Sequence, residues 1–411
     1  MKHFVAVQQL RVAAITTHTL QAISQFIALV DDDCDKGKRT KSPLQQRCGW
    51  LQFVLPNKNT PLFRRHLRMT YDSFMALLDK IRPHLPQIDQ EMAALRGGII
   101  IPELRLYATI RYLAGGSYSD ICFFCGISKP SFYRCLWETI AAINKAVKIK
   151  FPSTAEECAL NASDFESVSH AGIISNCVGA VDGYLLGIVT PAKKHAKNVR
   201  SYFSGHYQKY GINIQACCDA NCRFTFLGIG GPGVTKDRAA VKDSGLNELI
   251  NNLPPGYICI SDCAYEPTEH LVAIFGGDLA LQKDNDNFNF YASQLRIRIE
   301  MAFGIMTRKW GILQRPLSIV LPQVKHLICA IARLHNFCID EELKTVSASG
   351  HRRHFVHTLT RANLSPTQLA YMHASAQVRT RRICCVLTVS LLNLLRLNFV
   401  FVSIGSTPRD S

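Results

Sequence analysis

The spacing of apolar residues divides the chain into a helical first part and a mixed second part. Between about 70 and 113, apolar residues recur every three or four positions, which predicts two helices. Thr70 is suited to cap the first helix, and Pro102 is suited to the first turn of the second. The positions that carry this period are Phe74, Leu77, Leu78, Ile81, Leu106, Ile110 and Leu113.

A second pair of helices is predicted directly afterwards. Ser117 or Ser119 can cap a short helix that ends near Gly126, and Ser128 can cap another with Pro130 in its first turn. Two helices joined by a tight turn form a helix-turn-helix pattern, which occurs both in DNA-binding proteins and in ordinary helix packing. If the pair binds DNA, the residues near the start of its second helix meet the major groove, and these are Lys129, Ser131, Tyr133 and Arg134.

From about residue 172 the pattern changes to short apolar runs typical of strands. Helices are predicted near 238–251 and 293–309. Strands and helices in this order predict a mixed α/β sheet. The predicted strands are 177–181, 211–218, 223–229 and 257–261.

Three acidic residues stand at informative places in these elements. Asp182 follows the first predicted strand, Asp262 follows the fourth, and Glu300 lies beside the apolar stripe of the last helix. If the two strands are neighbours, the aspartates lie side by side, and like charges at that distance need a cation to stay ionised. Two ions of the Mg²⁺ type can activate a water for phosphodiester cleavage. The pattern therefore predicts metal-dependent phosphodiester chemistry at these three carboxylates.

Charge and cysteine content narrow the class of protein. The net charge is +16, which favours a polyanionic partner such as nucleic acid. The chain has 16 cysteines without a convincing secretory signal, which predicts reduced thiols in a cytosolic or nuclear protein. Cys122 and Cys125 form a C-x-x-C pair, but no second pair with zinc spacing follows. Both are therefore expected to be core residues carried by a helix rather than zinc ligands.

Basic residues near the acids have two interpretations. They can form a loop that grips phosphates, or they can be an ordinary solvated charge run. Arg296 precedes Glu300 by one turn and can form an i, i+4 ion pair with it. The basic residues that follow the first acid within twenty positions include Lys193, Lys194, Lys197 and Arg200.

Other polar residues receive ordinary structural roles. Asp237 is expected to be the N-cap of a helix, and Asp219 to lie in a hairpin turn. Asp284 and Asp286 are expected in a solvated loop. His335 and Asn336 are explained by helix packing.

One segment near the end could be read as a membrane span. The run from Ile383 to Ile404 is long and apolar enough to cross a bilayer. It contains Arg396, Asn393 and Asn398, which are costly in the middle of a membrane. A membrane protein is therefore not expected.

Several blocks of sequence resemble the PIF/Harbinger class of DDE transposases and the Harbinger transposase-derived nucleases. The resemblance covers about residues 60–340, and after about 345 the chain departs from the family. The blocks that carry it are FRRHLRMTYDSF, LRLYATIRYLAGGSYSDICFFCGISKPSFYR, AVDG, YGINIQACCDANCRF, GPGVTKDRAA, SDCAYEPTEHL, FNFYASQLRIRIEMAFGIMTRKWGILQRPL and RLHNFC.

The resemblance implies an RNase H-like catalytic domain preceded by an all-α domain that contains the helix-turn-helix. It also implies a DDE triad of Asp182, Asp262 and Glu300 that binds Mg²⁺ or Mn²⁺, cleaves DNA at transposon ends and then transfers strands. A separate Myb-like DNA-binding partner, nuclear localisation (cytoplasmic without that partner) and a homo-oligomer are further implications. The alternative, which the atypical tail motivates, is a catalytically silent DNA-binding or scaffold protein.

These expectations give a predicted domain organisation. The divisions are an N-terminal helix with a charged linker at 1–59, a helical domain at 60–155, an RNase H-like DDE domain at 172–340 and an atypical tail at 341–411.

Overall fold

A computed structural model describes residues 54–87, 99–169 and 172–348 of the protein. The described part before the sheet consists of helices, as the apolar period predicts. Their bounds are α1 (Pro61–Leu67), α2 (Tyr71–Ile81), α3 (Pro102–Leu113), α4 (Tyr118–Cys125), α5 (Lys129–Ala146) and α6 (Ala155–Val168).

A mixed six-stranded sheet follows, so the prediction of a mixed α/β fold is confirmed. The strands run in the order β2-β3-β1-β5-β6, and β4 pairs with β3. The remaining elements are β1 (Cys177–Gly187), β2 (Phe203–Ser204), β3 (Lys209–Cys218), β4 (Phe224–Pro232), α7 (Asp237–Asp243), α8 (Leu246–Asn251), β5 (Ile258–Ser261), β6 (Leu271–Ala273), α9 (Lys283–Lys309) and α10 (Leu321–Ala348).

Strand β1 occupies the centre of this arrangement. It runs antiparallel to β3 and parallel to β5, and β3 is also antiparallel to β4. The first and fourth of the predicted strands, β1 and β5, are therefore neighbours in the sheet. Helix α9 packs against β1, β3 and β5.

Three expectations about local structure are wrong. Strand β1 does not end before Asp182 but continues to Gly187. The helix expected at 238–251 is two helices, because Gly245 at φ 84° begins a new one. Helix α9 begins ten residues early, so Asp284 and Asp286 lie in its first turn rather than in a loop.

The helical part and the sheet share one apolar core. Phe74 of α2, Ile110 of α3 and Ile140 of α5 belong to the same buried cluster as Ile214 of β3 and Leu295 of α9. This cluster explains the apolar period of the helices. DNA binding by the helix pair α4 and α5 stays a prediction. The division into domains also stays a prediction.

The start of α2 offers a test of a local stabilising contact. The Oγ1 atom of Thr70 accepts a hydrogen bond from the backbone N–H of Ser73 at 3.2 Å, as its N-cap role predicts. Thr70→Ala is expected to lower the free energy of unfolding by about 1 kcal/mol, because one N–H of the first turn loses its partner. Urea denaturation measures this loss.

Ser117→Ala is the matched control for this change, because the N-cap Ser117 of α4 makes no side-chain capping bond. An equal loss of stability in the two variants would contradict the capping role of Thr70.

The run from Ile383 to Ile404 lies outside the described residues. Among the helices that are described, none has the length and apolar character needed to cross a membrane.

Candidate active site

Two of the three predicted acids meet across the pair β1 and β5. The parallel register pairs Ala180 with Ile260, and two positions further along each strand direction come Asp182 and Asp262. Neighbouring strands lie about 4.8 Å apart, so this register brings the two carboxylates to the same point of the sheet. Asp182 therefore reaches the site from within β1, at the place where its pairing with β5 ends.

Helix α9 contributes the third acid. Leu295, Ile299 and Ala302 are buried against the sheet, and Glu300 lies beside this stripe with 46% of its side chain exposed. Its carboxylate pairs with Nη1 of Arg296 at 2.5 Å, so the i, i+4 ion pair predicted from the sequence is confirmed.

The charges of these acids act on one another. Burial, with smaller contributions from the charges of Asp262 and Glu300, raises the pKa of Asp182 to about 7, while the Gly183 N–H and Arg296 act in the opposite direction. Burial likewise raises the pKa of Asp262, and Glu300 again contributes. The three acids predicted from the sequence thus lie within electrostatic reach of one another.

A fourth carboxylate, Asp237, belongs to the same place. It is not the N-cap of α7, as the sequence predicts, because that position is Lys236. Its Oδ1 accepts hydrogen bonds from Nδ2 of Asn213 at 3.1 Å and from Nε2 of Gln215 at 3.0 Å. Its charge also raises the pKa of Asp262. One feature of the sequence could have indicated this role of Asp237. The amides Asn213 and Gln215 stand at alternate positions of a strand that is otherwise largely apolar.

A buried polar network fixes this fourth acid in place. Gln215 is fully buried, and its Oε1 accepts a hydrogen bond from the hydroxyl of Tyr265 at 2.6 Å. Tyr265 is 3% exposed and lies three residues after Asp262. The network therefore joins β3, the start of α7 and the segment after β5, which makes the orientation of Asp237 a property of the fold.

Gly183 is required by the same arrangement. A Cβ atom at this position would lie 2.4 Å from Oδ1 of Asp237 and 3.0 Å from Nε2 of Gln215. Only hydrogen fits there, which explains the glycine that follows Asp182.

The donor set suits a hard divalent cation. Carboxylate oxygens are the ligands that Mg²⁺ and Mn²⁺ prefer, and the charges of Asp262 and Glu300 both act on the carboxylate of Asp182. Within residues 54–87, 99–169 and 172–348, however, no three His, Cys, Asp or Glu side chains form a ready-made metal cluster. The ion pair with Arg296 engages one carboxylate oxygen of Glu300 and would compete with a cation for it.

The basic residues expected to bind DNA are on the surface. Lys193, Lys194, Lys197 and Arg200 are exposed in the segment between β1 and β2. At the start of α5, Lys129 and Arg134 are also exposed. Their contact with DNA stays a prediction.

The structural roles expected for several other residues are confirmed. Asp219 lies in the turn between β3 and β4, where it is buried and pairs with Arg223 at 2.7 Å. Asn336 bonds to both the N–H and the C=O of Phe224. His335 is fully buried and contacts the carbonyl of Cys222.

Of the C-x-x-C pair, Cys125 lies in the core as expected, while Cys122 is half-buried and packs against that core. Cys122 and Cys125 of α4 carry free thiols, and Cys125 is fully buried.

The acids of this site lie in a region that matches a known protein family. Residues 181–336 match the family described as DDE superfamily endonuclease. That region begins one residue before Asp182 and contains Asp237, Asp262 and Glu300.

A curated protein is similar over a longer segment. The "Protein ALP1-like" of Arabidopsis thaliana is 24% identical over 264 residues, which are 59% of this chain and 62% of that protein. No solved structure matches the chain.

Proposed function

We propose that this chain, a Harbinger-class DDE transposase-derived protein with a DDE superfamily endonuclease domain, cleaves phosphodiester bonds of DNA with divalent metal ions. The observation that supports this most directly is the register of β1 and β5, which sets Asp182 beside Asp262. The position of Glu300 on α9 supports it further. RNase H-like topology of the mixed sheet is part of the same proposal.

The metal, when bound, supplies the Lewis acid that activates a water and stabilises the leaving oxygen. Asp182 and Asp262 provide oxygen donors from the sheet, and Asp237 adds negative charge beside Asp262. The Tyr265–Gln215 pair holds Asp237, so this carboxylate does not reorganise during the reaction.

Arg296 has a separate part in this proposal. In the described arrangement it neutralises Glu300. Were Glu300 to hold a metal ion, it would supply a third carboxylate donor, and the guanidinium of Arg296 could bind a phosphate oxygen of the DNA, for which its planar donors are suited.

The wider activity is proposed from the sequence resemblance to the PIF/Harbinger transposases. We propose that cleavage takes place at transposon ends and is followed by strand transfer, that Mg²⁺ or Mn²⁺ is the ion, and that Lys193, Lys194, Lys197, Arg200, Lys129 and Arg134 contact the DNA backbone. A Myb-like partner, a homo-oligomer and nuclear localisation, with the protein in the cytoplasm when the partner is absent, belong to this proposal.

A second candidate function is a DNA-binding scaffold without catalysis. The observation that favours it is the engagement of Glu300 by Arg296, together with the lack of a ready three-ligand cluster in the described part of the chain. A protein locked in this arrangement would keep its basic surface but would not bind the catalytic metal.

Nicking of supercoiled plasmid distinguishes the two functions. The wild-type protein is expected to nick with Mg²⁺ or Mn²⁺ and to stop in EDTA, and Glu300→Gln is expected to be at least about tenfold slower because one oxygen ligand loses its charge. The matched control is Glu248→Gln, an exposed carboxylate of α8, which should stay within about twofold of wild type.

Nicking that survives EDTA, or equal rates for Glu300→Gln and wild type, would refute the proposed nuclease. Salt-sensitive DNA binding without any nicking would establish the scaffold instead.

A further inference from the structure

An exposed aromatic ring stands beside the acids without a packing role there. Tyr207 lies in the turn of the hairpin formed by β2 and β3, and it is 55% exposed. The segment that enters β2 lies beside the loop that leads to Asp237, because the backbone N–H of Val234 donates to the carbonyl of Ser201 at 3.0 Å. Consistent with this placement, burial and the charges of Asp182, Asp237 and Asp262 raise the pKa of Tyr207.

The stability of the hairpin does not depend on this ring. Phe203 and Tyr210 face each other across the two strands, with ring centroids 5.3 Å apart, and they supply the cross-strand contact. Tyr207 is a member of neither buried apolar cluster. Packing within the protein therefore does not explain why an aromatic ring is exposed at Tyr207.

The turn nevertheless holds the backbone at Tyr207 in a defined position. The backbone N–H of Tyr207 donates to Oγ of Ser204, a buried residue, at 3.4 Å. Gln208 adopts φ 52° and bonds through its side chain to the carbonyl of Gly205. A ring on an anchored turn loses little conformational entropy when it stacks on a ligand.

The immediate surroundings of the ring are basic. Nζ of Lys209 lies 5.6 Å from the centroid of the Tyr207 ring, and His206 packs edge-on against it at 4.6 Å. A cation next to an exposed aromatic ring, at the edge of an acidic site, is the combination that binds a phosphate and the adjoining base of a nucleic acid strand.

We propose that Tyr207 stacks on an unpaired DNA base next to the scissile phosphate and so positions the strand over the four carboxylates. This inference rests on the proposed nuclease function and adds a requirement to it, namely a base displaced from the helix at the cleavage position. Stacking is tolerant of sequence, so Tyr207 would select strand structure rather than base identity.

Direct binding of DNA to the full-length protein tests this role. Fluorescence anisotropy with a short mixed-sequence single strand should show about tenfold weaker binding for Tyr207→Leu, which keeps an apolar side chain but has no ring. Tyr207→Phe keeps the ring and should stay within about twofold of wild type. Binding of a blunt duplex of the same sequence should change less, because its bases are already stacked.

A photocrosslink locates the contact independently. With 5-iododeoxyuridine in the single strand, we expect the crosslinked peptide to contain Tyr207. Unchanged affinity in Tyr207→Leu, equal losses in the Leu and Phe variants, or crosslinks only elsewhere would overturn the inference.

The nicking experiment separates this inference from the proposed function. If nicking depends on metal and on Glu300 but the Tyr207 variants bind normally, only the stacking role is wrong. If the Tyr207 variants behave as expected while no metal-dependent nicking occurs, the ring contacts DNA in a protein that does not cleave it, and its catalytic positioning role is wrong.

Discussion

Asp182→Asn is expected to abolish metal-dependent nicking and, in the same protein, to raise the stability of the metal-free fold at pH 8. Burial is the main reason why the pKa of this carboxylate is raised to about 7. Loss of its charge should slow nicking at least about 100-fold, because metal binding contributes several kcal/mol of charge stabilisation. The plasmid assay measures this rate.

The gain in stability follows from the sign of the pKa shift. The ordinary pKa of Asp182 is 3.8, and the folded value is about 7, so the folded state holds the proton more tightly than the unfolded state. Ionisation therefore opposes folding, increasingly so as the pH rises from about 4 to about 7, and by a constant amount above that. At pH 8 the penalty is at most about 4 kcal/mol, and asparagine removes it.

Urea denaturation in EDTA, repeated between pH 4 and pH 8, measures this gain. The backbone N–H of Gly183, which now donates to Oδ1 at 2.7 Å, retains an acceptor in the variant. The control is Asp243→Asn at the far end of α7, an exposed carboxylate that should alter neither property. Wild-type activity in Asp182→Asn, or a stability gain that does not shrink as the pH falls, would contradict this account.

Gly183→Ala is expected to lower nicking activity about 100-fold without removing any functional group, because a displacement of about 1 Å at a reacting site has an effect of this size. The added Cβ would lie 2.4 Å from Oδ1 of Asp237, and the pairing of Gly183 with Gln215 of β3 restrains the backbone of β1 at this position. Asp237 must therefore move and lose its bonds to the amides of β3. Overpacking of this kind also destabilises a fold by about 1–3 kcal/mol.

Gly187→Ala is the matched control for this change. It lies on the same strand, and its added Cβ would meet only Cα of Pro316, at 3.9 Å. Neither glycine has a positive φ, so the backbone tolerates alanine equally at both. Calorimetric titration with Mn²⁺ should show weaker binding in Gly183→Ala alone. Equal behaviour of the two variants would mean that Asp237 has no part in the site.

Much of the local structure could be predicted because short-range interactions determine it. The helices α2 and α3 follow from their apolar period, and the caps at Thr70 and Ser128 follow from side chains that reach a backbone N–H three residues away. The bounds predicted from apolar spacing were wrong where pairing with a neighbouring strand lengthened an element. Strand β1 extends past Asp182 because β3 pairs with it as far as Gly187.

The sequence by itself determined which residues are acidic, which elements carry them and which family they resemble, since these depend on residue type and local spacing. Only the tertiary structure decided that β1 and β5 are adjacent and in a register that aligns Asp182 with Asp262. It alone turned Asp237 from a presumed cap into a member of the site, because the amides that hold it come from β3. Contacts between residues distant in the chain leave no fixed spacing in the sequence, and they emerge only when the strands pack.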